Sequence, residues 1–235
     1  MNTNTKIQAV IFDLDGTLLD TLKDLYNATN AALRMHSLPE RTIDEVCRFV
    51  GNGIPNLIAR ALPGGDEATT TNDLTDDTLK KMHSAVLADF KAYYDAHCED
   101  NTKPYEGIAD MLQSLKNNGI HTGVVSNKAD FAVKKLIPNY FPGLIDAASG
   151  ENEACGIPKK PAPEMVLKLL DELKVPAENA IYVGDSDVDI VTAANAGMPC
   201  ISVLWGFRSR EFLINAGAER FALVPADITG IVLGS

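Results

Sequence analysis

The chain has 235 residues, 46% of them hydrophobic, which is enough for one large core or two smaller ones. Lys and Arg number 21 against 32 Asp and Glu, a formal charge of -11, with no basic tract to offset it. That balance excludes nucleic acid and anionic membranes as expected partners, because both are held by Lys and Arg neutralising phosphates, but it leaves room for a small phosphorylated ligand.

The opening segment MNTNTKIQAV has no apolar export region, and no run is long enough to cross a bilayer, so a cytoplasmic protein is expected. Cys47, Cys98, Cys155 and Cys200 are widely spaced without a CxxC pair, which predicts reduced thiols rather than a disulfide or zinc framework. His36, His83, His97 and His121 are also scattered, and no His-based triad is expected.

The apolar run Ile7 to Ile11 leads into FDLDGTLLD, Phe12 to Asp20. A buried strand ending in acid, any residue, acid, Gly delivers Asp13 and Asp15 to one turn, where their repulsion calls for a cation. Carboxylate oxygens suit Mg²⁺, and an Asp carboxylate can attack phosphorus. Alone, the same pattern is a common strand-to-turn signal.

Residues 20 to 98 show no convincing strand. Leu22, Leu25, Tyr26, Thr29 and Leu33 form a helical stripe before Pro39, and Leu79, Met82, Val86, Phe90, Tyr93 and His97 form a longer one. Shorter helices are predicted near 43 to 50 and 55 to 62, with a polar loop from Pro63 to Asp77 ending at an N-cap, Thr75 or Asp76.

Beyond residue 105 helix and strand alternate. A helix around Ile108 to Leu115 is closed by Gly119, the strand Ile120 to Ser126 follows, and another helix starts near Ala129. Helix 163 to 173, strand 180 to 184, helix 188 to 196, strand 199 to 204 and a short strand 220 to 224 continue the pattern, which predicts an α/β fold with a Rossmann-like parallel sheet covered on both faces. That sheet needs the first strand. The predicted organisation is therefore a discontinuous core, 1 to 19 plus 100 to 235, with an all-helical cap, 20 to 98, inserted.

Ser126, at the expected end of GVVSNK with Asn127 and the first N–H groups of the next helix beside it, is placed to receive a phosphate oxygen; on this residue alone a simple N-cap serine is the stronger explanation. In GIPKKPAPE, Lys160 or Lys159 supplies a fixed positive charge before Pro161. In IYVGDSDVDIV, Asp185 stands at a helix entry and Asp189 one turn on, where helix capping is the competing explanation.

DxDGT, the Ser126 strand end, KPAP and GDxxxD, taken in that order, resemble the phosphatases of the haloacid dehalogenase superfamily over essentially the full length. VGNGIPNLIARAL and LWGFRSREFLINAGA look like its phosphoglycolate phosphatase branch. The resemblance implies that Asp13 is the nucleophile and Asp15 the general acid and then base. It further implies Mg²⁺ held by the carboxylates of Asp13 and Asp185 and the backbone carbonyl of Asp15, with Asp189 supporting the shell through water or Lys160. Ser126 and Lys160 would hold phosphoryl oxygens, in a substrate site that also takes in Gly16, Thr17 and Asn127, with Lys160 preferred to Lys159 by the family pattern. The Gly51-Asn52-Gly53 turn is the cap element expected to meet the substrate. Other functions compatible with these motifs are a β-phosphoglucomutase-like sugar phosphomutase, a pyrophosphatase or nucleotidase, and a non-enzymatic aspartyl-phosphate switch. Nothing in the sequence specifies an oligomeric state. The tail ADITGIVLGS departs from the branch, since two glycines stand where a closing helix is expected.

Overall fold

The computed structural model describes residues 6–152 and 156–234, so Cys155 lies outside the described residues. Among the described residues, Cys47, Cys98 and Cys200 form no disulfide with one another. Two compact units make up the chain, one of Met1–Leu19 with Pro104–Ser235 and the other of Asp20–Lys103.

The first unit contains strands β1 (Ala9–Phe12), β4 (His121–Ala129), β5 (Ala147–Glu151), β6 (Ala180–Gly184), β7 (Cys200–Val203) and β8 (Phe221–Ala222). They form one sheet in the order β5-β4-β1-β6-β7-β8, parallel throughout. Two-residue strands β2 (Leu19–Asp20) and β3 (Lys103–Pro104) pair separately. Alternation along β1 divides the core: Val10 and Phe12 join one apolar cluster, Ala9 and Ile11 the other. The first cluster is completed by α5 (Ile108–Asn117), α6 (Asp130–Tyr140) and α10 (Pro225–Leu233). On the other face lie α7 (Glu164–Leu173) and α8 (Asp187–Asn195). This is the doubly covered parallel sheet that the alternation predicts. Every residue of β1 is fully buried, and each large apolar side chain there contributes about 1.5–3 kcal/mol by leaving water.

Two local expectations fail. Strand β5, read as AASGE, escaped prediction because it has no β-branched or aromatic residue; pairing with β4 (Gly123 with Ala147, Val125 with Ser149) makes it a strand. The tail does form a helix, α10, despite Gly230 inside it. Burial of Ile228 and Val232 outweighs the roughly 1 kcal/mol that one glycine costs a helix, and Gly234 ends it in the left-handed conformation.

The second unit holds α1 (Leu22–Met35), α2 (Ile43–Phe49), α3 (Ile54–Ala61) and α4 (Asp77–His97), with a 3₁₀ turn at Thr71–Asp73 inside the polar loop; α9 (Arg210–Asn215) belongs to the first unit. The core of the second unit joins Leu25 and Leu33 of one predicted stripe and Val86 and Phe90 of the other to Ala28, Val46, Leu57 and Ile58, although Tyr94 rather than Tyr93 is the buried tyrosine of α4. Asp76 is the N-cap of α4, accepting from Thr78 N and Leu79 N. Buried Asp24 accepts from Asn101 N and Nδ2 and from Thr102 N and Oγ1, which ties the two ends of this segment together.

Candidate active site

Strand β1 lies between β4 and β6, where the chain's progress across the sheet reverses, and in such sheets the crevice beyond the carboxyl ends at that point is where ligands bind. Asp13 follows β1, Ser126 to Lys128 lie on β4, and Asp185 follows β6, so three adjacent strands deliver their terminal residues to one place.

Asp13 is buried, and its Oδ1 accepts from Leu14 N at 2.7 Å and pairs with Lys160 Nζ at 2.9 Å. Lys160 Nζ also reaches Asp189 Oδ1 at 2.8 Å and Tyr182 Oη at 3.2 Å. Of the two candidate lysines it is therefore Lys160 that joins the carboxylates. Asn127 positions that lysine by a reciprocal pair, its Nδ2 donating to the Lys160 carbonyl at 3.0 Å and its Oδ1 accepting from Lys160 N at 2.8 Å. Asp185 accepts from Thr17 Oγ1 at 3.3 Å and from Phe207 N at 2.7 Å.

Asp189 is fully buried, one turn into α8, and satisfies both explanations of its motif at once. Its Oδ2 accepts from Ser186 N and Oγ, 3.1 and 2.6 Å away, as a capping box, while its Oδ1 faces Lys160. Asp185 lies outside the helix, before the N-cap Ser186.

Carboxylate oxygens of Asp13, Asp185 and Asp189 lie within 4.8 Å of one another. Three carboxylates against the Lys160 ammonium leave an excess of two negative charges in a buried place. Burial pushes the Asp13 carboxyl from 3.8 up to about 8, with Lys160 pulling it down and Asp189 and Asp185 pushing it further up. Asp185 is raised from 3.8 to about 7, chiefly by burial and then by Asp189. Burial alone would lower Lys160, but the Asp13 and Asp189 carboxylates outweigh it and hold that ammonium charged. Hard oxygen donors with this excess charge fit a divalent cation.

Packing explains the glycines. Gly16 has φ +85, and a Cβ there would overlap the Asp185 carboxylate; a Cβ on Gly184 would overlap that of Asp189. The amides of Gly16 and Thr17 are engaged by Leu19 O and Leu14 O, and Thr17 is fully buried with its hydroxyl on Asp185, so both residues frame the carboxylates. Strand β4 continues through Ala129 and α6 starts at Asp130, so Ser126 is neither an N-cap nor beside the first N–H groups of a helix; its Oγ accepts from Lys128 N at 3.2 Å.

Three contributors were not read from the sequence. Lys128 pairs with Asp15 at 2.9 Å, Tyr182 donates toward Asp189, and the loop after β7 supplies Phe207 N to Asp185 and Trp205 Nε1 to the Thr17 carbonyl at 3.0 Å. The place of Lys128 at the strand end, two residues past Ser126, was the available signal for the first. The Gly51-Asn52-Gly53 turn lies in the second unit. There Gly51 (φ +123) and Gly53 (φ +84) are both left-handed, Gly53 caps α3, and Asn52 is bonded through its carbonyl by Asn56 and through its side chain by Arg60.

The sequence pattern of the haloacid dehalogenase-like hydrolases matches residues 10–203. The chain belongs to that family. This hydrolase is 35% identical over 213 residues, 90% of its own length and 85% of the other's, to the phosphoglycolate phosphatase of Rhodospirillum rubrum. It is 32% identical over 233 residues to that of Aquifex aeolicus, covering 96% and 97% of the two chains. A solved structure from Lactobacillus delbrueckii subsp. bulgaricus superposes with a TM-score of 0.92 at 37% identity, covering 98% of this hydrolase and all of the other chain. No helix among the described residues is long and apolar enough to cross a membrane.

Proposed function

We propose that the protein is a Mg²⁺-dependent phosphomonoesterase that works through an aspartyl-phosphate on Asp13 and takes a small phosphorylated metabolite, with phosphoglycolate the first candidate. The observation that carries this reading is the buried Asp13–Lys160–Asp189 chain of ion pairs beside Asp185 at the carboxyl end of β1. Relatives named phosphoglycolate phosphatase, 30–35% identical over most of the chain, support the substrate.

Asp13 and Asp185 are the carboxylates that would hold the cation, joined by the Asp15 carbonyl, with Asp189 supporting them through Lys160; the bound ion supplies charge neutralisation for the phosphoryl group. With Asp13 Oδ1 held by Leu14 N and Lys160, Oδ2 is the oxygen assigned to attack phosphorus. As the Oδ2–P bond forms, the ester P–O bond breaks and Asp15 gives its proton to the leaving oxygen. Asp15 then takes a proton from water, whose oxygen attacks phosphorus; the Asp13–phosphate bond breaks and inorganic phosphate leaves. Lys160 holds charge at the phosphoryl group throughout, and Ser126 is the hydroxyl assigned to a phosphoryl oxygen.

The test is phosphate release from phosphoglycolate and a panel of other phosphorylated metabolites, with Mg²⁺ and with excess EDTA, alongside acid-quenched mass analysis for phosphate on the peptide carrying Asp13. Turnover that needs Mg²⁺ and favours phosphoglycolate is expected. Full activity in EDTA, or turnover in an Asp13→Asn variant, overturns the mechanism; preference for a hexose phosphate or pyrophosphate overturns the substrate.

A further inference from the structure

We propose that Lys128 is a positioning residue for Asp15, holding the acid/base carboxylate in its working place through a buried ion pair. This rests on the reading of Asp15 as acid and base given above. Lys128 Nζ stands 2.9 Å from Asp15 Oδ1 and 3.3 Å from Oδ2, so one ammonium spans both oxygens across 113 residues of sequence. The lysine side chain is only 2% exposed and that of Asp15 15%. Burying an ammonium costs several kcal/mol unless an anion receives it, so a lysine at the end of a central strand is a costly choice for packing alone.

The backbone is arranged to produce this placement. Along β4 the register with β5 shifts between Val125 and Ala129, an irregularity that re-aims side chains next to sites of chemistry. Lys128 N is pinned by Ser126 Oγ at 3.2 Å. Strand β5 approaches so closely behind it that a Cβ on Gly150 would lie 2.6 Å from the Lys128 carbonyl oxygen. The lysine therefore has little freedom to retreat.

Two buried lysines thus divide the two acids of the DxD motif between them. Lys160 binds the nucleophile Asp13 and Asp189, whereas Lys128 binds Asp15. Asp15 stands two residues along from Asp13, and the Lys128 ammonium, spanning both of its oxygens, is the charge that fixes its carboxylate there. Asp15 acts only if it reaches the leaving oxygen and later the attacking water within hydrogen-bond distance, and a displacement of about 1 Å costs on the order of 10²-fold.

The experiment compares Lys128→Met, Lys128→Arg, Asp15→Asn and the double variant Asp15→Asn/Lys128→Met, all with Mg²⁺ and all checked by thermal melting. On an alkyl phosphate, Lys128→Met should lose about 10- to 100-fold in kcat with KM nearly unchanged, and Lys128→Arg should recover much of the loss. With p-nitrophenyl phosphate the first step needs no acid, because nitrophenolate leaves unprotonated. Hydrolysis of the intermediate still needs Asp15, so Lys128→Met should show a burst of about one nitrophenolate per chain. In the Asp15→Asn background, Lys128→Met should cost nothing further, a test that holds even where the single variant melts at lower temperature. Additive losses in the double variant, a rise in KM alone, or unchanged kcat in Lys128→Met with Asp15→Asn crippled would overturn the positioning role. Wild-type turnover in Asp15→Asn would instead overturn the mechanism on which it rests.

Discussion

The strand-end cluster of the first unit and the Gly51-Asn52-Gly53 turn of the second are built in opposite ways. The cluster gathers Asp13, Asp15, Lys128, Lys160, Asp185 and Asp189 from four separated stretches and holds them by buried ion pairs, with Asp185 held by hydrogen bonds from Thr17 and Phe207 N. The turn is held locally, Asn56 and Arg60 of the next helix bonding Asn52. In the cluster each charged group is held by partners far away in sequence, so the whole sheet is needed to make it. At the turn a few neighbouring residues suffice, so its shape can vary without disturbing the sheet. Under the proposed function, the cluster would fix the reaction and the turn would be the adjustable element.

The largest effect is expected at Asp13, the proposed nucleophile. Asp13→Asn should reduce turnover on the order of 10⁴-fold or more while the protein stays folded, because an amide cannot form the covalent intermediate. Removing one of three crowded carboxylates should raise the melting temperature of the metal-free protein at pH 8, checked by calorimetry; a fall in melting temperature would show that the Asp13–Lys160 pair stabilises more than the crowding costs.

Asp185→Ala comes next. It should raise the Mg²⁺ concentration for half-maximal activity by about 10- to 100-fold, measured by metal titration, while no change would remove Asp185 from the cation site. A smaller effect is expected from pH. The folded-state carboxyls of Asp13 and Asp185 are raised to about 8 and about 7 from 3.8, so between these limits the folded protein keeps protons that the unfolded chain has lost. Metal-free stability should therefore fall as pH rises from 4 to 8, and Mg²⁺ should flatten that slope because it favours the charged carboxylates. Denaturant melts across this range with and without Mg²⁺ read both parts, and a metal-free slope of opposite sign would contradict the assignment.

The turn offers the mildest perturbation. Gly53→Val puts a β-branched residue at φ +84, a strain of about 1–3 kcal/mol confined to the second unit. Turnover of phosphoglycolate should fall more than that of p-nitrophenyl phosphate, whose activated leaving group needs less help. Equal losses, or none, would deny the turn a selective role.

Local chemistry along the chain determined a good deal by itself. The run from Ile7, the alternation after residue 105 and the helical stripes before it determine a parallel sheet and a helical segment, because burial enforces periods of two and 3.6 residues that survive in the sequence. The acids Asp13, Asp15 and Asp185 were legible for the same reason, standing where apolar strands stop, and Asp189 was legible from its one-turn spacing after Asp185. Tertiary structure decided the pairings. That Lys160 takes Asp13 and Asp189 whereas Lys128 takes Asp15, that Asn127 clamps Lys160, that Thr17 and Phe207 N hold Asp185, and that Ala147–Glu151 is a strand at all depend on partners 20 to 170 residues away. A buried charge is placed by whatever answers it across the fold, and no local pattern encodes that distance.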